Sequence, residues 1–137
     1  MTPLPLRLRP GDDLRRAIEA AVLVLHPEGA FVACGIGSLS SAVLRLAGAA
    51  KTLTLAGEFE ILSLAGSVSA DGSHLHISIA DADGRVLGGH AGPGCIVRTT
   101  AEILVLPLGT ARQIGREFDA ATGYPELVIR SCSEEQG

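Results

Sequence analysis

The sequence predicts an α+β domain, one helix followed by seven or more short strands in a mostly antiparallel sheet. Three observations carry this. Only residues 11–29 show helical periodicity. From Phe31 onward, short apolar runs alternate with Gly- and Pro-containing turns, the pattern of β structure. The 137 residues are 47% hydrophobic but only 3% aromatic, without Trp, so the core must be built from Leu, Ile, Val and Ala. That length fits one domain; there is no internal repeat and no low-complexity linker.

The elements follow in chain order. "LPLRLRP" alternates Leu and Arg after its prolines and reads as an edge strand, since proline cannot donate to a ladder. "GDDLRRAIEAAVLVLHPEG" is the helix. Its apolar face runs through Leu14, Ala17, Ile18, Ala21, Val22 and Leu25. Asp12 and Asp13 supply the N-terminal cap and favourable charge, and Pro27 and Gly29 end the helix. "FVACGIG", "SSAVLRLAG", "KTLTLAG" and "EFEILSLAGSVS" read as successive strands, the last alternating Phe59, Ile61 and Ser63 against Glu60, Leu62 and Leu64. "SHLHISIAD" and "GRVLGGH" form a hairpin. "GCIVRTTAEILVLPLG" is a long β segment ending at Pro107, "REFDAATGYPELVIR" offers one or two more strands, and the final "SCSEEQG" is a polar, fraying end.

The hairpin gathers three of the four histidines. On a strand, His74, His76, Ser78 and Ala80 share one face, and Leu75, Ile77 and Ile79 the other. A two-residue turn at Asp83-Gly84 or at Ala82-Asp83 would put His90 on the wrong face. A three-residue loop, Ala82-Asp83-Gly84, pairs Asp81 with Arg85 and His76 with His90. Such a loop needs a left-handed residue at its third position, and Gly84 stands there. A bulge at Gly88-Gly89 would shift the pairing again. Three neutral imidazoles with an open fourth position suit Zn²⁺ or a related divalent metal; a polar sheet face or a subunit interface is the other reading.

Other candidates are weaker. Glu58 and Glu60 share a strand face, which suits acid–base work but is commonly just solvated. Glu102, among apolar residues, is read as a buried partner of Arg98, or as a group behind a histidine. His26 ends the helix, where an imidazolium would suit the dipole, but it is read as an ordinary surface residue there. Cys95 reads as a small buried hydrophobe. "GGHAGPG" lacks the lysine and helix of a phosphate loop.

Composition excludes some classes. The formal charge is −4, with 11 basic residues in no run longer than two. This argues against direct nucleic-acid binding, which needs a basic stripe. Three distant cysteines, an odd number, imply free thiols in a reducing, cytoplasmic setting. No signal core or membrane-length apolar run is seen.

"GRVLGGHAGPGCIVRTTAEILV", with "GEFEILSLAGSVS" and "HLHISIAD", resembles the PPC domain, the plant and prokaryote conserved domain. The resemblance runs from about Leu6 to Arg130, within a single domain of 1–137 whose core is about 6–130 and whose polar tail is 131–137. It implies a bent antiparallel sheet with a flanking helix, a homotrimer, and a divalent metal, zinc, at His74, His76 and His90. Plant members follow an AT-hook and carry a DNA-binding label. Prokaryotic ones stand alone, as this chain is read. An AT-hook needs a Gly-Arg-Pro core, and "RLRPG" has the wrong order. The expected function is therefore a homotrimeric, metal-bearing module, DNA-binding or regulatory by family and acting through self and protein contacts. The alternative is a metal-dependent enzyme on a small molecule, with Glu60 or Glu102 as its base.

Overall fold

A computed structural model describes residues 2–132. The elements run β1 (Leu4–Leu8), α1 (Leu14–Leu25), β2 (Ala30–Arg45), β3 (Leu53–Ser69), β4 (Gly72–Ala80), β5 (Val86–Ala91), β6 (Ile96–Pro107), β7 (Arg112–Asp119) and β8 (Tyr124–Ser131). The α+β expectation holds, but the strands divide into two sheets. Six form one sheet in the order β1-β6-β2-β3-β4-β5, and β7-β8 form a separate hairpin; every pairing between these strands is antiparallel. Of the expected polar tail, Ser131 still belongs to β8, and 133–137 lie outside the described residues.

β1 lies at the sheet edge, with Pro5 opposite Leu104. The four strands expected between Phe31 and Ser69 are only two. β2 has 16 residues and β3 has 17. They do not stop where the alternation falters. Instead they bend through register shifts, in β2 between Leu39 and Ser41 and in β3 between Ile61 and Ser63. An extra residue flips the side-chain phase. Phe59 and Ile61 are buried before the shift in β3. After it Leu64 is buried and Ser63 exposed, so the strict alternation expected there fails at the bulge.

Bending lets the sheet curl. β5 pairs with β4 on one edge and with the far end of β2 on the other, Leu44 opposite Ala91 and Arg45 opposite His90. β2-β3-β4-β5 thus closes on itself at that end. The helix packs on the core face through Leu14, Ile18 and Val22, all fully buried. Leu25, expected on that face, is 65% exposed at the last helical position.

Asp13 is the N-cap. One carboxylate oxygen accepts the Arg16 N–H at 3.1 Å, and the other accepts the Gly94 N–H at 2.7 Å. The cap therefore also ties the helix to the loop after β5. Asp12, the other expected capping residue, instead accepts the Arg9 N–H. Cys95 in that loop is fully buried; its thiol touches the Val43 N–H and C=O, and burial pushes its pKa up. Cys34, Cys95 and Cys132 are free thiols. Among the described residues no helix is long and apolar enough to cross a membrane.

Candidate metal centre

The β4–β5 hairpin has the three-residue loop. Gly84 has φ +79°, its N–H donates to the Asp81 C=O at 3.0 Å, and the Asp81 N–H donates to the Arg85 C=O at 2.9 Å. The Asp81 carboxylate accepts the N–H groups of Asp83 and Arg85, both at 2.9 Å, which locks the turn and holds its own pKa down, the Arg85 N–H contributing most. From this turn the pairing runs without a shift through Gly88 and Gly89 to His76 opposite His90. Leu75, Ile77 and Ile79 enter the core, so His74 and His76 project from the outer face.

Glycine at 89 has a steric reason. A Cβ there would stand 2.7 Å from the Arg45 carbonyl oxygen, because β5 is pressed against β2 where the sheet closes. His90 follows at once, its backbone held on both edges.

The three rings converge. His74 and His90 stack with centroids 5.1 Å apart, and His76 stands edge-on to both at 4.8 Å. The Nε2 atoms of His74 and His76 are 3.0 Å apart, and one donor nitrogen from each residue lies within 4.8 Å of the others. Tetrahedral nitrogen ligands at the usual Zn–N length of ~2.0–2.1 Å lie about 3.3 Å from one another. The donor set suits a divalent metal, and donors now up to 4.8 Å apart would draw together around it.

The surroundings favour the neutral form of two of the rings. His74 is lowered by desolvation, then by His76 and Arg116; His90 by desolvation, then by Arg45 and His76. Neutral imidazole is the metal-binding form.

Other predicted residues lie elsewhere. Glu60 pairs in register with Ala80, four residues along β4 from His76, about 13 Å at the rise of a strand. Glu102 is exposed in mid-β6, with two strands between it and β4, opposite Arg7 and Ile36. Its expected buried pair with Arg98 is not formed. Glu102 is exposed, and Arg98 pairs with Glu58 at 2.9 Å. His26 caps the helix C-terminus, 3.2 Å from Glu28.

A groove of about 760 Å³ opens beside the cluster. His74 and His90 line it, together with Arg15, Arg45 and Arg116. Sequence reasoning missed these arginines. Arg45 ends β2 and Arg116 sits in β7, and no local pattern announces that either approaches the histidines.

A curled antiparallel sheet around one helix, with a three-imidazole cluster on the closing hairpin, defines a small α+β domain. The profile of the Plants and Prokaryotes Conserved (PCC) domain matches residues 1–109. The chain belongs to this family, as the resemblance implied. It is 46% identical over 130 residues to a bifunctional protein GlmU of Synechococcus sp. (strain JA-3-3Ab), covering 95% of this chain but only 21% of that protein. The chain thus spans about a fifth of the length of the curated relatives first matched. Among solved structures, a hypothetical protein from Salmonella enterica has TM-score 0.90 and 40% identity over 95% of this chain and 94% of that one. The metal-containing protein AF0104 from Archaeoglobus fulgidus has TM-score 0.78 and 32% identity over 93% and 94%.

Proposed function

We propose that the chain is a homotrimeric PCC-domain module that holds one divalent metal ion, zinc, at His74, His76 and His90, and acts in regulation through self and partner contacts. The convergence of three imidazole donors carries this reading. A metal-containing relative of the same fold supports it. For self-association the support is an apolar outer face. Phe31 and Leu106 are register neighbours there, and they and Ile36 are 37%, 41% and 56% exposed. Exposed apolar surface of this kind marks association sites. For the family's DNA-binding label, the net charge of −4 and the scattered basic residues supply no basic stripe along a backbone. Free thiols suit a reducing, cytoplasmic setting.

Elemental analysis of protein purified without chelators tests the centre. We expect about one zinc per chain, lost in His76→Ala and in His90→Ala; a metal content unchanged by both substitutions refutes it. Light scattering of the same sample tests the trimer, and a monomer refutes it.

The groove beside the cluster favours a second reading, a metal-dependent enzyme acting on a small molecule. A bound metal would there supply an activated water. In that case neither Glu60 nor Glu102 serves as the base, because their strand positions keep them from the cluster. Asp71 and Glu126 are the carboxylates that line the groove.

A further inference from the structure

Three arginines, Arg15, Arg45 and Arg116, and two carboxylates, Asp71 and Glu126, line the groove. Arg15 is committed to Glu19 at 3.1 Å and to the Ala91 carbonyl at 3.2 Å. Asp71 accepts the Arg116 backbone N–H, and Glu126 accepts the Thr122 hydroxyl. Arg45 and Arg116 remain, both half-buried, and neither forms an ion pair among the described residues.

Both stand at the histidines. Arg45 is the register partner of His90, so the two side chains leave the sheet on the same face. The Arg116 guanidinium donates to the Ser67 hydroxyl at 2.7 Å, and Ser67 is the register partner of His74. The two cations thus flank the cluster from opposite strands. Pro93, Tyr124 and Pro125 add apolar wall. A half-buried guanidinium without a counter-ion is costly unless a ligand supplies one, and its planar fork matches an oxyanion. The groove volume is that of a small-molecule site.

We propose that this groove binds a small organic anion, its carboxylate or phosphate held between Arg45 and Arg116 and its body against Tyr124 and the prolines. This deepens the small-molecule reading of the groove and holds whether or not the histidines carry a metal. The test is calorimetric titration of phenyl phosphate and of benzoate, which separates the two anion types, into zinc-loaded and zinc-free protein at low salt. We expect one of them to bind once per chain, at least tenfold more weakly in Arg45→Gln and in Arg116→Gln, with partial recovery in Arg45→Lys. Arg112→Gln, which removes a charge outside the groove, should stay within twofold. Thermal melts verify that each variant is folded. Binding of neither probe, or an equal loss in Arg112→Gln, overturns the proposal. Zinc binding without anion binding overturns it alone. Anion binding by a protein that takes up no zinc supports it and refutes the metal centre.

Discussion

Gly89→Ala probes the closure that positions His90. The new Cβ would meet two backbone atoms of Arg45, the oxygen at 2.7 Å and the carbon at 3.2 Å, neither of which can rotate away. Ordinary contact begins near 3.4 Å, so β5 must retreat from β2 by the difference, about 0.7 Å. Overpacking of this kind costs about 1–3 kcal/mol. The conformational entropy removed from the unfolded chain returns about 0.4–1 kcal/mol. The net loss is about 1–2 kcal/mol, or roughly 3–10 °C in Tm for a domain of this size. A displacement of this size also exceeds the ~0.5 Å tolerance of a preorganised site, so zinc affinity should fall roughly tenfold. Gly92→Ala is the counterpart. Its Cβ would meet Val43 atoms at 3.4 and 3.5 Å, so it should be neutral or stabilising. Thermal unfolding in EDTA at fixed protein concentration gives the stability, and competition with a chromophoric chelator gives the zinc affinity. If Gly89→Ala is as stable as the parent and binds zinc equally, β5 is not pressed against β2 and the account of the closure fails.

Leu75→Ala, at a side chain 1% exposed between His74 and His76, should cost about 2–5 kcal/mol in urea unfolding; a loss under about 1 kcal/mol would mean that β4 does not turn this face to the core. Asp81 has a depressed folded pKa. Its stabilisation is therefore full above the unfolded value of 3.8 and disappears as pH falls through the lower folded value. Asp81→Ala should unfold at lower urea than the parent at pH 6, and the gap should close near pH 2; a gap that widens in acid contradicts this assignment. Glu60→Gln and Glu102→Gln should each leave zinc affinity within twofold, and a tenfold loss in either would bring that carboxylate to the centre.

Much of the hairpin was legible because its determinants are local. Alternation separates His74 and His76 from Leu75 and Ile77, and Gly84 selects the loop length; together these put His76 opposite His90. The helix was legible for the same reason, through the spacing of Leu14, Ile18 and Val22 and the cap at Asp13. Where the reading failed, the cause was longer in range. Nothing local distinguishes a strand end from a bulge, so sequence pattern divides each of β2 and β3 into two strands and puts Leu64 on the wrong face. Arg98 found Glu58 rather than Glu102 because the partner lies on another strand.

Local chemistry was enough to settle the α+β class, the apolar face of the helix and the shared face of three histidines, because each rests on residues a few positions apart. Folding added what depends on distant segments meeting: the curl through the bulges, the seating of β5 against Arg45, and the approach of Arg116 to Ser67 and His74. The groove belongs to this second group. Its walls come from the helix, strands β2, β4 and β5, and the β7–β8 hairpin, so it exists only once the sheet has closed.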